Sequence, residues 1–200
     1  MTIKQFLKSK TFRCILVLLC IALVAGGLLS ILHDVLNVSD DEKTQRAIET
    51  VYGQPMDFTD LSQSLSDNSN NDYGTVDSLY LLADGNYLMK VTGIDGYKKG
   101  TITLYIVAEF SQGEFVGLKK VVLESYEKQT LMSQFTSKFY EVYSENDTYI
   151  VEGGYFSTSS NGEDIQNLSS GATYSSNAVN NAVNCGLFYI RAELSGGQNG

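Results

Sequence analysis

Apolar residues are distributed along this chain in two ways: one long run near the N-terminus, and short periodic groups after it. The run from Ile15 to Leu32 reads ILVLLCIALVAGGLLSIL, eighteen residues without a charge. A helix of that length is near the lower limit for spanning about 30 Å of hydrocarbon. The sequence therefore predicts a single N-terminal transmembrane helix, which we assign to residues 14–33.

Four short segments after this run alternate between apolar and polar residues, as half-buried strands do. They are residues 78–83, 87–93, 101–110 and 115–123. Asp84-Gly85-Asn86 joins the first pair and Gln112-Gly113-Glu114 joins the second, and both triplets are hairpin signals. The pattern predicts a four-stranded antiparallel meander.

Helical signals flank this predicted sheet. The stretches that have them are residues 40–53, 127–143 and 173–192. Gly53 ends the first stretch, and Leu131, Phe135 and Phe139 have helical spacing in the second. Because the strands are grouped and the helices are segregated from them, we expect an α+β fold with an antiparallel sheet and flanking helices.

These elements divide the chain into five regions. They are a cytoplasmic N-terminus at residues 1–13, the anchor at 14–33, a polar connecting region with a short helix at 34–77, the principal domain at 78–192 and a disordered tail at 193–200. Residues 62–74 are polar and have no periodicity, so we expect a mobile loop there. Residues 152–170, rich in Gly and Ser, are expected to form a second polar stretch.

Charge is distributed unevenly along the chain. Before Asp34 the only charged residues are four basic ones, although the whole chain has a formal net charge of −9. The positive-inside rule then predicts a single-pass protein of the cell membrane, with its N-terminus in the cytoplasm and its domain extracytoplasmic. A cleaved signal peptide is the alternative, and it would export the domain too. The acidic domain would repel phosphate backbones, which argues against nucleic-acid partners.

Few residues offer catalytic or metal-binding chemistry. His33 is the single histidine and lies at the end of the apolar run, which excludes a Ser-His or Cys-His pair and a typical zinc site. Cys185 lies in an apolar helical pattern, which favours buried packing over a reactive thiol. We therefore predict no catalytic residue and no metal ligand.

A loop of small residues leads into the last predicted helix. Residues 169–176 read SSGATYSS, and Thr173, Ser175 and Ser176 fall in the first turn, where backbone N–H groups lack intrahelical acceptors. Such a helix end attracts a phosphate, and the small residues before it leave room for a bulky group. Ser and Thr are also ordinary helix N-caps, and the residues alone favour that simpler interpretation.

The same loop resembles the signature of a known family. Ser170-Gly171-Ala172-Thr173-Tyr174-Ser175-Ser176, followed by Ala178-Val179 and Ala182-Val183, is similar to the motif of the FMN-binding domain family. That family includes flavin-carrying subunits of the Rnf electron-transport complex and of the sodium-translocating NADH:quinone reductase. Residues 96–102, GYKKGTI, resemble a second family element. The resemblance covers most of residues 13–192.

This resemblance implies a specific cofactor and a site for it. Thr173 matches the family's threonine that is joined to the FMN phosphate by a phosphoester bond, which a flavin transferase installs from FAD. Residues 78–192 would then be the FMN-binding domain. Tyr97 and Tyr174 are candidates for stacking on the flavin, with ordinary packing as the alternative. The remaining cofactor-binding residues that the motif implies are Ser170, Gly171, Ala172, Ser175 and Ser176.

The function that the resemblance implies is electron transfer by a membrane-anchored flavoprotein. The protein would be one component of an ion-translocating, Rnf-like complex, and its partners would be other membrane subunits and the flavin transferase. One alternative is a stand-alone exported flavin carrier for extracellular electron transfer. Another is an exported binding or adhesion module without flavin, in which the motif only caps a helix.

The chain departs from the family's pattern in one stretch and at one single residue. Rnf-type members have Glu-Thr-Pro-Gly-Leu-Gly before the middle helix, whereas this chain has ESYEKQT at residues 124–130. Members often have Asp six residues before the modified threonine, whereas this chain has Asn167. The first departure bears on the geometry of the flavin site, and the second on recognition by the transferase.

Overall fold

The computed structural model describes residues 10–36, 39–145, 155–156 and 172–195 of the chain. The chain divides into two compact units, Met1–Thr44 and Gln45–Gly200. The first unit contains helix α1, Lys10–Leu36. The second contains the sheet and most of the helical segments that pack on it.

Helix α1 coincides with the long apolar run, but it does not meet the requirement for a membrane span. Among the residues that the structure describes, no helix is both long and apolar enough to cross a membrane. The predictions of a transmembrane anchor at residues 14–33 and of a single-pass, extracytoplasmic localisation are therefore wrong.

The second unit is built on one antiparallel sheet. Its strands are β1 (Phe58–Asp60), β2 (Asn70–Asn71), β3 (Gly74–Leu82), β4 (Tyr87–Gly93), β5 (Ile102–Ser111) and β6 (Glu114–Tyr126). The spatial order is β1-β3-β4-β5-β6, and β2 also pairs with β3. The meander predicted from the alternating segments is therefore confirmed as β3 to β6, and two short strands extend its edge.

Hairpin turns fall where the glycines predict them. Gly85 has a φ of 84° between β3 and β4, and Gly113 has a φ of 85° between β5 and β6. Backbone in this left-handed region favours glycine because a Cβ would be strained there. Each turn fixes the register of its own hairpin: Leu79 pairs with Met89 across the first, and Phe110 pairs with Phe115 across the second.

Three further helices accompany the sheet in the described residues: α2 (Asp40–Tyr52), α3 (Ser137–Glu145) and α4 (Thr173–Tyr189). The chain continues from α4 into a π-helical turn, Ile190–Leu194. The predicted helices at residues 40–53 and 173–192 are confirmed. The helix predicted at residues 127–143 begins only at Ser137. Strand β6 ends at Tyr126, and the residues between the two elements form an irregular segment with one 3₁₀ turn.

Each face of the sheet has its own apolar core. Met89, Leu104 and Ile106 are fully buried on the face that packs against α4, together with Val179 and Val183 of that helix. The opposite face packs against α2. Its buried residues are Ala47, Ile48, Tyr80, Leu82, Leu88, Tyr105 and Val107. Alternation along the strands therefore supplies both cores, in the α+β arrangement that the sequence predicts.

The polar segment at residues 62–74 is ordered, so the prediction of a mobile loop is wrong. It contains two 3₁₀ turns, Ser62–Ser64 and Asp67–Ser69, before β2. Ser66 Oγ and Asn68 Nδ2 donate hydrogen bonds of 2.7 Å and 2.6 Å to the Glu193 carboxylate, and these two bonds lower the pKa of Glu193. Of the predicted polar stretch 152–170 and tail 193–200, most residues lie outside the part that the structure describes.

Candidate functional site

Helix α4 begins at Thr173, and the residue at its N-cap is Ala172. Ala172 has no polar side chain, and among the described residues no side-chain hydrogen bond caps this helix end. Thr173 is therefore the first residue inside the helix rather than its cap, so the ordinary N-cap interpretation of this threonine is wrong. The first-turn N–H groups of Thr173, Tyr174 and Ser175 lack intrahelical acceptors and lie at the positive end of the helix dipole.

The three aliphatic hydroxyl groups of this first turn have different surroundings. The Thr173 side chain is exposed. Ser175 is buried, and its Oγ donates a hydrogen bond of 2.7 Å to Gln129 Oε1. Ser176 is fully buried, and its Oγ donates to the Ala172 carbonyl at 3.1 Å. Thr173 therefore has the accessible aliphatic hydroxyl in the described part of the motif.

Thr173 opens onto a cleft of about 280 Å³. Three segments that are distant in sequence form its walls: the loop after β4, the segment after β6 and the start of α4. The lining residues are Tyr97, Thr130, Leu131, Ala172, Thr173, Tyr174 and Ser175. The cleft is therefore a product of the tertiary fold rather than of the motif alone.

A second cleft, of about 550 Å³, adjoins the first and shares Tyr97 and Tyr174 with it. The two tyrosine rings are 6.4 Å apart between centroids and inclined at 55°. The other lining residues are Asp95, Gly96, Lys98, Lys99 and Asn177. Both clefts have volumes in or near the range of small-molecule sites. The tyrosines that the sequence singles out therefore lie between two openings on one surface.

The loop that carries Tyr97 has an unusual backbone. Lys98 and Lys99 have φ angles of 51° and 56°, in the left-handed region that residues with a side chain seldom adopt. A hydrogen bond of 3.0 Å from the Gly96 N–H to the Gly100 carbonyl closes the loop. Lys98 Nζ is 5.3 Å from the Tyr97 ring centroid, a cation–π distance. Two positive charges are thus held at the rim of the clefts.

Gln129 connects the walls. The family resemblance points to residues 124–130 as a stretch that bears on the flavin site, but it gives Gln129 no role. Its Oε1 accepts hydrogen bonds from the Tyr97 N–H at 3.1 Å and from Ser175 Oγ. Its Nε2 donates to the Glu127 carbonyl at 2.9 Å. At the sequence level Gln129 is a polar residue in a stretch predicted to be helical, with nothing to distinguish it from a solvated position.

Two of the implied site residues, Ser170 and Gly171, lie outside the described residues, as does Asn167. Ala172 and Ser175 line the cleft with Thr173, whereas Ser176 does not. Cys185 is fully buried, as the apolar pattern predicts. Burial raises the pKa of its thiol to about 12, which opposes formation of a thiolate.

The described residues match the chemical needs of FMN in three respects. Thr173 offers an accessible hydroxyl for a phosphoester bond. The N-terminus of α4, which no described side chain caps, offers N–H donors to a phosphate. Tyr97, Tyr174 and the partly exposed Leu131 offer apolar surface to an aromatic ring system. The residues are therefore compatible with this cofactor.

A comparison of the chain with protein-family models, with curated proteins and with solved structures finds no match. The fold and the site geometry thus define an α+β domain with a double cleft at a helix N-terminus. Membership of the FMN-binding domain family stays a prediction from the motif.

Proposed function

We propose that this protein is an electron-transfer flavoprotein that carries FMN in a phosphoester bond to Thr173. The observation that supports this most is the state of Thr173: an exposed hydroxyl on the first residue of helix α4, facing a cleft with aromatic walls. The neighbouring serine hydroxyls are buried and hydrogen-bonded. Of the described Ser and Thr residues in the motif, Thr173 is thus the one that a modifying enzyme can reach.

The attachment requires a flavin transferase and FAD as donor. The Thr173 hydroxyl oxygen would form a bond to the phosphorus on the riboflavin side of the FAD pyrophosphate. The bond from that phosphorus to the bridging oxygen would break, AMP would leave, and the hydroxyl proton would pass to the medium. No electrons are exchanged in this step, so it needs no oxidant or reductant.

After attachment, each wall of the site has a separate role. The N–H groups at the start of α4 would donate to the phosphate, and the helix dipole would favour its negative charge. Tyr97 and Tyr174 would shield a planar ring from water, and Lys98 and Lys99 would add positive charge at the rim. FMN supplies the redox chemistry, and the protein tethers and positions it.

This function implies two kinds of partner. The transferase must bind the exposed start of α4 while Thr173 reacts. Redox proteins that deliver and remove electrons must reach the same rim, because the clefts are open to solvent there. The motif's resemblance to the flavin-carrying component of the Rnf complex supports other subunits of an ion-translocating electron-transport complex as these redox partners.

The experiment is intact-mass measurement of the protein co-expressed with an active flavin transferase. We expect an added mass equal to FMN less one water, and we expect Thr173→Ala to abolish it. Thr130→Ala is the matched control, since Thr130 is another exposed threonine in the same cleft. It should be modified like the unaltered protein.

Two outcomes would reject the proposal. One is no added mass although the transferase modifies a known substrate in the same cells, which would favour a binding module without flavin. The other is equal modification of the Thr173→Ala protein, which would move the attachment site elsewhere.

A further inference from the structure

Gln129 is a buried amide whose two polar atoms contact two other segments and the backbone of its own segment. Its Oε1 accepts from Tyr97 in the loop after β4 and from Ser175 in α4, at 3.1 Å and 2.7 Å. Its Nε2 donates to the Glu127 carbonyl beside β6. A backbone N–H can only donate and a carbonyl can only accept, so these contacts fix the orientation of the amide.

The loop around Gln129 is shaped to hold this side chain. A Cβ on Gly96 would lie 2.5 Å from Gln129 Nε2, and a Cβ on Gly100 would lie 2.7 Å from the same atom. Any side chain at either glycine would therefore displace the amide. Between the two glycines, Lys98 and Lys99 have positive φ angles, which persist only where surrounding contacts determine the backbone.

We infer that Gln129 is a positioning residue that fixes the Tyr97 loop against the first turn of α4, so that Tyr97 and Thr173 have a fixed relative position before any cofactor binds. Its role in flavin attachment rests on the proposed function. Gln129 itself does not line the clefts, and it acts through Tyr97 and Ser175. The transferase then meets a preformed acceptor site rather than a loop that must first become ordered.

The test compares two substitutions that preserve the length of the side chain. Gln129→Met removes both polar atoms, whereas Gln129→Glu keeps the acceptors for Tyr97 and Ser175. The first readout is hydrogen exchange of the Tyr97 amide, measured against the amide of Leu104 in the fully buried centre of β5. We expect Gln129→Met to accelerate Tyr97 exchange about fivefold to tenfold relative to Leu104, because one hydrogen bond is lost.

The Gln129→Glu variant distinguishes positioning of the Tyr97 loop by hydrogen bonds from packing of the side chain. We expect Gln129→Glu to retain more of the Tyr97 protection than Gln129→Met does, because one carboxyl oxygen still accepts the N–H while only the bond to the Glu127 carbonyl is lost. Equal loss of protection in both variants, or none in either, would overturn the inference. Gln63→Met, at an exposed glutamine in a 3₁₀ turn, is the control for the substitution itself and should leave Tyr97 unchanged.

The second readout is the rate of flavin attachment at limiting transferase, followed by intact mass. We expect about a tenfold lower rate for Gln129→Met and a smaller loss for Gln129→Glu. An unchanged rate in Gln129→Met would overturn the role in attachment while the proposed function stands. If the unaltered protein itself is not modified, the proposed function fails, and Tyr97 exchange alone decides whether Gln129 fixes the loop.

Discussion

At the scale of single residues, Gly93 marks the closest approach between helix α4 and the sheet. A Cβ at this position would lie 2.2 Å from the Ala178 carbonyl oxygen and 2.3 Å from the Ala182 backbone N. Both contacts are with helix backbone, which cannot rotate away as a side chain can. The glycine at the end of β4 therefore packs directly against the backbone of α4, next to the small residues of that helix.

We expect Gly93→Ala to lower the free energy of unfolding by about 3 kcal/mol, because the helix must move to admit the methyl group. Gly117→Ala is the matched control: Gly117 is also in a strand, and no atom lies within 4 Å of its added Cβ. It should change stability by less than about 0.5 kcal/mol. Urea unfolding of the two variants measures both changes in the free energy of unfolding. Equal changes would contradict the prediction, because they would show that α4 moves to admit the methyl group at little cost.

At the scale of elements, α4 secures a distant segment through two buried asparagines. Asn184 Oδ1 accepts the Phe156 N–H at 2.8 Å, and its Nδ2 donates to the Phe156 carbonyl at 2.9 Å. Asn180 Nδ2 donates to the same carbonyl at 3.0 Å. The Phe156 ring packs against Tyr143 of α3, with centroids 4.9 Å apart. One residue thus connects two helices.

We expect Asn184→Ala to destabilise the protein by about 2 kcal/mol, because it leaves the buried Phe156 N–H without an acceptor. Asn181→Ala on the same helix is the comparison: Asn181 Nδ2 donates to the Ile94 carbonyl at an exposed bond that water can replace. Its cost should be below about 1 kcal/mol. Thermal or urea unfolding distinguishes the two, and a cost for Asn181→Ala as large as that of Asn184→Ala would contradict this account.

The element that the sequence misplaces most is the helix predicted at residues 127–143. Leu131, Phe135 and Phe139 do have helical spacing, and the last two pack ring to ring at 4.6 Å. The regular helix nevertheless begins only at Ser137, after a 3₁₀ turn. Leu131 is 38% exposed and lines the cleft instead of the core. Apolar spacing alone does not distinguish a cleft wall from a core face.

At the scale of the whole molecule, burial makes stability sensitive to alkaline pH. Burial raises the pKa of the Cys185 thiol from 9.0 to about 12, and that of the Tyr52 hydroxyl from 10.0 to about 12. Burial also raises the pKa values of Tyr140 and Tyr143 above their usual range. Unfolding exposes all four groups, and each then ionises at a lower pH than in the folded state.

We expect the free energy of unfolding to be constant with respect to these groups below pH 9 and to fall as the pH rises from 9 towards 12. The sign follows because the folded pKa values exceed the unfolded ones, so the unfolded state releases protons first. Urea unfolding at pH 8 and at about pH 11 measures the change. Cys185→Ala should show a shallower decline, since one of the groups is removed. A flat or rising profile would contradict this prediction.

The sequence singled out residues within the motif as the candidate site, and the structure adds cleft residues from outside the motif. The motif indicated Thr173 and the start of a helix there, and the structure begins α4 at that residue. It did not indicate which hydroxyl is accessible, because the burial of Ser175 depends on Gln129, which is distant in sequence. The sequence likewise did not indicate that Thr130 and Leu131 line the cleft.

What the sequence by itself determined is the local order of the chain. Alternation along the strands, the glycines at the hairpin turns and the periodicity of the last helix act over a few residues, so they are visible without a fold. The tertiary structure decided the rest. It ordered residues 62–74 through hydrogen bonds to Glu193 and brought Tyr97 to Thr173 across Gln129. Contacts between residues so far apart form only when the whole core is assembled, because no local pattern specifies which distant partner a polar side chain will bind.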